Sequence, residues 1–228
     1  MASAARLLCP RNETGLVVGA GPVMIGILDI GMGNLRSMAN AIDLGGFDPL
    51  VVAEASAFDD LTHLVIPGVG HFGAAMSEIS VRNLSQGIRD FADSGRPLLG
   101  VCLGMHLLAA MGEEGGLSEG LGFISGTVRR LEPGPGMRVP HVGWNELEIR
   151  RNHPVFEGIK ANRDFYYVHS FAMFCESDES VLGTTDYGGS VTAVVGHGNV
   201  LGFQFHPEKS QTNGLKLIEN FCLWDGRC

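Results

Sequence analysis

Four short apolar runs alternate with segments of helical periodicity in the first half of the chain. The runs occupy residues 24–30, 49–52, 63–66 and 97–101, and each ends at or near a glycine, a proline or an acidic residue. The helical segments occupy residues 34–46, 72–91 and 103–111, the second of them less regular because it contains Gly87. Continuous apolar runs of this length are typical of strands buried on both faces of a parallel sheet. The order therefore predicts an α/β fold: an open, mostly parallel sheet with helices on both faces.

The second half of the chain has a different texture. Short strand-like runs separated by Gly, Pro, Asn and Asp occupy residues 123–131, 144–149, 165–171, 181–185, 191–195 and 200–205. A final helical segment follows at 209–224. We expect these runs to add antiparallel strands to the edge of the same core. Because no internal repeat or low-complexity linker is visible, residues 24–228 are predicted to form one domain, with residues 1–23 as a disordered extension.

Charge and cysteine content exclude several classes of protein. Sixteen Lys and Arg against twenty-five Asp and Glu give a formal net charge of −9, which offers no electrostatic footprint for nucleic acid or for an anionic membrane. No apolar run approaches the roughly 18 residues that span a bilayer. Five scattered cysteines without a C-x-x-C pair argue against a disulfide framework and a zinc site, and favour a reducing, cytoplasmic location.

The strongest local signal is Gly-Val-Cys-Leu-Gly at residues 100–104, between a predicted strand and a predicted helix. It has the form of a nucleophile elbow with Cys102 in the place of serine. The two glycines would permit a strained turn, and the helix N-terminus would favour a thiolate. The alternative is that Cys102 is a small buried apolar residue, the commonest state of a free cysteine.

A cysteine nucleophile needs a base, and His206 is the best placed of the eight histidines. It follows a predicted strand, so it should lie at the sheet edge where open α/β folds hold their sites. If Pro207 keeps the chain extended, Glu208 projects to the same side and can orient the imidazole. The alternative is a polar strand end with a surface carboxylate. Four other histidines lie in turn-like or polar surroundings and are expected to be solvated: His63, His71, His153 and His197.

Acyl transfer also needs hydrogen-bond donors for the oxyanion. The Leu103 N–H is one candidate, and the Pro-Gly-Val-Gly loop at 67–70, with Gly68 and Val69, is expected to supply another. An ordinary glycine turn explains this loop equally well.

Five segments together resemble a known family. Residues 100–105 (GVCLGM) and 203–210 (FQFHPEKS) resemble the class I, or triad, glutamine amidotransferases. Residues 29–37 (DIGMGNLRS), 140–145 (PHVGWN) and 166–171 (YYVHSF) are similar to one subfamily, the glutaminase subunits of imidazole glycerol phosphate synthases in histidine biosynthesis. The resemblance covers about residues 24–224. It departs at Ile30, where the subfamily often has tyrosine, and at His106, where the family usually has a substrate-holding glutamine.

The resemblance implies a mechanism and a set of roles. Cys102 would attack the side-chain amide of L-glutamine, and His206, oriented by Glu208, would pass the proton to the leaving ammonia. The substrate would be held by residues around the cavity: Gly70, His106, Glu114, Ser170 and Phe171. No cofactor or metal is implied.

The resemblance also implies a partner, a (βα)8-barrel cyclase that receives the ammonia in a heterodimer. Asn34, Tyr166 and Lys209 would lie near that interface, although each is also explained as an ordinary surface residue. We expect the isolated subunit to be a poor glutaminase.

Three alternatives remain open from the sequence. His106, one helical turn after Cys102, is a rival base because residues i and i+4 share a helix face. The same chemistry could serve a different synthase, such as a sugar amidotransferase. The chain could also be a non-catalytic regulatory subunit that retains the fold.

Overall fold

The computed structural model describes residues 22–160 and 163–227. The expected disordered extension, residues 1–23, lies almost wholly outside them. The strands are β1 Ile25–Leu28, β2 Pro49–Val52, β3 His63–Gly68, β4 Leu98–Cys102, β5 Ala109–Gly112, β6 Ser118–Glu119, β7 Ile124–Arg130, β8 His141–Ile149, β9 Arg163–His169, β10 Phe171–Cys175, β11 Val181–Asp186, β12 Ser190–His197 and β13 Val200–Phe203. The helices are α1 Leu35–Leu44, α2 Phe72–Val81, α3 Leu84–Asp93, α4 Leu103–Leu107 and α5 Gln211–Leu223.

Nine strands form the central sheet, in the order β2-β1-β3-β4-β13-β12-β11-β8-β9. The five strands from β2 to β13 are parallel, and the four beyond β13 are antiparallel. This confirms the predicted fold class of a mostly parallel sheet extended by antiparallel strands. The last strand in sequence, β13, lies beside β4 in the middle of the sheet and not at its edge.

Helices cover both faces of the sheet. Alternate residues of the central strands face opposite ways, so that Val65 packs with α1 and α5 while its neighbours Leu64 and Ile66 pack with α2 and α3. Burial of both faces explains why the parallel strands read as continuous apolar runs. None of the helices in the described ranges combines the length and the apolar character that a bilayer span requires.

A separate four-stranded sheet, in the order β10-β7-β5-β6, differs from the prediction that all later strands extend one sheet. Its strand β5 occupies part of the predicted helix 103–111, because α4 ends at Leu107 and Ala109 pairs with Ile124 of β7. An apolar run such as Leu-Leu-Ala-Ala-Met fits either state, and the long-range pairing decides it.

Two helix boundaries also differ from the prediction. The predicted helix 72–91 is two helices, which separate at Asn83, a residue with a left-handed φ of 54°. Gly87 does not break the second helix; a Cβ there would lie 2.5 Å from that of Ala55, so the glycine permits close packing. The C-terminal helix begins at Gln211, because residues 207–209 form a 3₁₀ turn.

Candidate active site

Three neighbouring parallel strands, β3, β4 and β13, bring the predicted site residues together at their carboxyl ends. Gly68 at the end of β3 is in register with Cys102 at the end of β4, and Val101 is in register with Phe203 of β13. The segment after β13 carries His206. Residues that are far apart in sequence therefore meet at the carboxyl ends of the strands, where open α/β sheets place their sites.

Cys102 sits on a strained turn between β4 and α4. Its φ of 54° and ψ of −108° lie outside the regions that L-residues normally adopt. Gly100 and Gly104 make this turn possible, because a Cβ at either position would collide with backbone, at Gly104 with the carbonyl oxygen of Ile66. Strain held at one residue by tight surroundings is common at functional sites. The geometry is that of the predicted nucleophile elbow.

Gly104→Ala is expected to destabilise the protein by about 3 kcal/mol, because the new methyl group meets rigid backbone rather than a movable side chain. Urea unfolding would measure the change. Gly134→Ala is the matched control, because the nearest atom to its Cβ would be 3.9 Å away. Equal stability of the two variants would contradict this account of the turn.

His206 and Glu208 form a buried pair. The ring Nδ1 lies 2.8 Å from Glu208 Oε1, and each side chain is only 4% exposed. The contact agrees with the prediction, but the backbone does not: His206 is extended, whereas residues 207–209 form a 3₁₀ turn. Pro207 starts this turn and does not prolong the strand. The carboxylate reaches the imidazole because the turn folds it back.

The pKa of His206 depends on both Cys102 and Glu208. Burial lowers the pKa of His206, but hydrogen bonding and charge from Cys102 and Glu208 outweigh burial and raise this pKa to about 9. The ring Nε2 is buried and has no hydrogen bond of standard geometry within the described chain. A proton on the imidazole at neutral pH, next to a thiol, is the arrangement of thiolate–imidazolium enzymes.

A cavity of about 350 Å³ opens beside Cys102. Its lining residues are Val69, Gly70, Cys102, Leu103, His106, Glu114, Pro140, Val168, His169, Ser170 and Phe171. All five residues that the resemblance assigned to substrate are among them. Pro140, Val168 and His169 were not singled out from the sequence, although all three lie in the motif segments that carried the resemblance.

Of the two backbone N–H groups predicted to stabilise the oxyanion, only that of Leu103 is free to do so in this conformation. Leu103 is the first residue of α4, where an N–H has no partner within the helix. The Val69 N–H instead donates to the carbonyl oxygen of Met32, at 3.4 Å. In this conformation the Val69 N–H is bonded to Met32 and is not free to stabilise an oxyanion, contrary to the expectation from the sequence. Gly68 lies against Leu103, with only 3.0 Å between a would-be Cβ and that of Leu103.

His106 is linked to Gln204 and not to the His206 pair. Its Nε2 lies 2.8 Å from Gln204 Oε1 in the interior. Burial lowers the pKa of His106, and Gln204 and Glu114 only partly offset this effect. Glu114 Oε2 accepts a hydrogen bond from the Phe72 N–H at the start of α2, at 2.8 Å. A neutral imidazole tied to an amide is a poorer general base than one oriented by a carboxylate.

The expected solvation of four histidines is wrong for His63. It is 6% exposed, and its Nε2 lies 2.9 Å from the carbonyl oxygen of Trp224. His153 is half-buried, and desolvation lowers its pKa to about 4. His71 and His197 are exposed, as expected.

Two of the three predicted interface residues, Tyr166 and Lys209, lie near the exposed Trp144. Tyr166 packs edge-on against Trp144, with ring centroids 5.9 Å apart, and the Lys209 Nζ lies 5.8 Å from the Tyr166 ring centroid. Trp144 is 48% and Val142 56% exposed on the same face of β8. Asn34 is exposed and accepts a hydrogen bond from the Ser37 N–H, so it also caps α1.

Comparison with known proteins agrees with this geometry. The family profile "Glutamine amidotransferase class-I" matches residues 27–224. The fold resembles that of PurLQS from Thermotoga maritima, with a TM-score of 0.70 and 20% identity over 88% of this chain and 98% of that one. The chain belongs to the class I glutamine amidotransferases.

Curated relatives of similar sequence identify the subfamily to which the chain belongs. Imidazole glycerol phosphate synthase subunit HisH 2 of Nitrobacter winogradskyi is 44% identical over 208 residues, which cover 88% of this chain and 98% of the relative. Subunit HisH of Symbiobacterium thermophilum is 45% identical over 86% of this chain and 91% of the relative. Within its class, the chain belongs to the HisH family of imidazole glycerol phosphate synthase subunits.

Proposed function

We propose that this chain is the glutaminase subunit of an imidazole glycerol phosphate synthase, with Cys102 as nucleophile. The observation that carries the proposal is the strained Cys102 turn at the cavity wall, whose side chain interacts with the imidazole of the buried His206–Glu208 pair. The chemistry is hydrolysis of L-glutamine to L-glutamate and ammonia.

Acylation begins with the Cys102 thiolate. Its sulfur attacks the side-chain amide carbon, and the carbonyl oxygen gains negative charge that the Leu103 N–H stabilises at the start of α4. When the C–N bond breaks, protonated His206 gives its proton to the nitrogen, and ammonia leaves a glutamyl thioester. His206 then takes a proton from water, which attacks the thioester and releases glutamate. Glu208 holds the imidazole in position throughout.

Substrate binding is assigned to the cavity beside Cys102. Glu114 places a carboxylate at the wall, suited to the α-ammonium group of glutamine. Gly70, Ser170 and Phe171 offer backbone groups, and His106 occupies the place of the family's usual glutamine. The cavity volume of about 350 Å³ suits a small amino acid.

We assign the recipient of ammonia to a (βα)8-barrel cyclase. Neutral ammonia is lost to protonation in water at neutral pH, so a glutaminase benefits from docking its site against the acceptor enzyme. The products would be imidazole glycerol phosphate and the aminoimidazole carboxamide ribotide by-product. Docking is assigned to the face that carries Asn34, Tyr166 and Lys209, with the exposed Trp144 among them.

Reconstitution with the cyclase of the same organism tests the function. Glutamine-dependent product formation is expected only in the mixture, with the isolated subunit a poor glutaminase. Equal glutaminase activity with and without the cyclase would contradict the partner assignment. A mixture that neither hydrolyses glutamine nor forms product would favour a regulatory subunit.

Trp144→Ala is expected to weaken binding to the cyclase by about 30-fold, because a large aromatic side chain at the centre of an interface often contributes about 2 kcal/mol. Calorimetric titration would measure the change. Phe174→Ala is the matched control: Phe174 is a similarly exposed aromatic residue, at 46%, but lies on β10 of the second sheet and not on β8 or β9. Similar losses for both variants would contradict the placement of the interface.

A further inference from the structure

Ser210 lies directly before α5, in the position where a serine usually caps a helix. A capping serine accepts a hydrogen bond from an N–H of the first turn and stabilises the helix by about 1 kcal/mol. The Ser210 side chain makes no such bond, although the residue is 0% exposed. The next residue, Gln211, has a φ of 52°, which is uncommon for a residue with a Cβ. The hydroxyl of Ser210 is therefore directed to partners other than the helix.

The Ser210 hydroxyl joins two main-chain groups. Its Oγ donates to the carbonyl oxygen of His206, at 2.6 Å, and accepts from the N–H of Tyr166 on β9, at 3.0 Å. The His206 N–H donates directly to the Tyr166 carbonyl oxygen, at 2.9 Å. Two residues that face each other as a hydrogen-bonded pair of an antiparallel ladder exchange two direct bonds. Here one of the two bonds is replaced by a bridge through the Ser210 hydroxyl.

This bridge holds the residue that the mechanism uses as proton donor. The His206 carbonyl oxygen also accepts from the Lys209 N–H, at 3.0 Å, within the 3₁₀ turn that brings Glu208 to the imidazole. The carbonyl end of His206 is therefore held by Ser210 and the turn, and its N–H end by β9. Because both ends of the residue are fixed, the imidazole is kept where it interacts with Cys102 and Glu208.

Tight packing encloses the hydroxyl and its partners. A Cβ on Gly214, in the first turn of α5, would collide with the carbonyl oxygen of Pro207 and would lie 2.8 Å from the Cβ of Ser210. The start of α5 therefore packs directly against the turn that follows His206. A main-chain donor and acceptor that lose the hydroxyl in such a place stay without a protein partner, which costs free energy.

We propose that Ser210 is a positioning residue: its hydroxyl fixes the main chain of His206 against β9 and so holds the imidazole beside the cysteine. The inference rests on the proposed glutaminase function and deepens it. Ser210 touches neither the substrate nor the sulfur in this assignment, so its loss should act on bond breaking and not on substrate affinity. A serine that served only to stabilise the fold would be expected to cap α5.

Ser210→Ala removes the bridge and leaves the Tyr166 N–H without its acceptor. In the complex with saturating cyclase, we expect kcat for glutamine to fall about 10- to 100-fold, because a small displacement of the imidazole misaligns proton transfer. KM should change less than about threefold, because Ser210 lies outside the cavity lining. Ser210→Cys keeps a side chain of similar shape that is a weak donor and acceptor, so its kcat should fall between those of wild type and Ser210→Ala.

An NMR titration of the His206 ring gives a readout that does not depend on turnover. The titratable groups that interact with this ring are Cys102, Glu208 and, from β9, His169, and the Ser210 variants change none of them. Cys102 and Glu208 raise the pKa of His206, so this pKa falls if the imidazole moves away from them. In the complex with the cyclase, the ring of Ser210→Ala should therefore titrate at lower pH than the ring of the wild-type protein.

Thr62→Ala is the matched control. Thr62 Oγ1 also bridges two main-chain groups, because it donates to the carbonyl oxygen of Met24, at 3.0 Å, and accepts from the N–H of the same residue, at 2.9 Å. Thr62 directly precedes β3, whereas Cys102 lies at the opposite end of the sheet. This variant should lower the melting temperature without changing kcat or the titration of His206.

The outcomes distinguish this inference from the proposed function. Equal losses of kcat in Ser210→Ala and Thr62→Ala, or an unchanged His206 titration in Ser210→Ala, would overturn the positioning role. Ser210→Cys takes the place of the alanine variant in both comparisons if the alanine variant does not fold. Failure of the wild-type complex to hydrolyse glutamine would overturn the proposed function itself, and the NMR titration would still decide whether Ser210 holds the imidazole.

Discussion

Replacement of Cys102 by alanine should lower glutamine hydrolysis by about 10⁴-fold or more, because no other group in the cavity can form the thioester. Glutamate release in the complex with the cyclase would measure the loss. The same variant should still support synthesis by the cyclase when an ammonium salt is supplied at alkaline pH, because Cys102 serves only to produce ammonia.

Cys175→Ala is the matched control for this prediction. Cys175 is partly exposed on β10, where burial and the nearby Asp178 raise its pKa to about 11, so its thiol is neutral and weakly nucleophilic. Its replacement should leave glutaminase activity within about twofold of wild type. Activity that survives in Cys102→Ala would remove the nucleophile assignment and with it the proposed mechanism.

Replacement of His206 by alanine should lower kcat/KM for glutamine by about 10³-fold or more, because the leaving nitrogen loses its proton donor. His106→Ala removes a histidine that lines the cavity and should act mainly through KM, because His106 is bonded to Gln204 and lies outside the proposed proton path. Steady-state kinetics of the two variants would separate the roles. Loss of kcat in His106→Ala alone would make His106 the base.

The dependence of glutaminase activity on pH is a second test of the role of His206. The pKa of His206 is raised to about 9, so the imidazolium persists through neutral pH and is lost as the pH rises through about 9. Glutaminase activity should therefore fall above that pH. Glu208→Gln removes one of the groups that raise this pKa, so its alkaline limb should move to lower pH. An unchanged limb in Glu208→Gln would show that Glu208 does not tune the imidazole.

Local sequence determined the elbow and the central strands. Gly100 and Gly104 flank Cys102 in the sequence, and this spacing is enough to predict the sharp turn, although the Gly104 position is also restricted by the backbone of Ile66 on β3. The parallel strands read as continuous apolar runs because both of their faces are buried. The elbow and the parallel strands were predictable because the signal for each lies within the segment that forms it: the glycines around Cys102 for the elbow, and the apolar run itself for each strand.

Long-range pairing and turn geometry account for what sequence reasoning missed. β5 has a helix-compatible sequence, and only its pairing with β7 makes it a strand. Pro207 is compatible both with extended chain and with the first turn of a 3₁₀ helix, so the contact between His206 and Glu208 was predicted with the wrong backbone. The Val69 amide depends on Met32, more than thirty residues earlier, and no local pattern reports which way it points.

The position of β13 in the sheet has a consequence for when the Cys102–His206 pair can form during translation. This strand follows every other strand in sequence, yet it pairs with β4 in the middle of the sheet. A ribosome that has released Cys102 must still translate about a hundred residues before His206 emerges. Until then the nascent sheet has a gap where its central strand belongs, and the thiol has no imidazole beside it. We therefore expect the thiol to gain its imidazole only after β13 has been synthesised and has paired with β4.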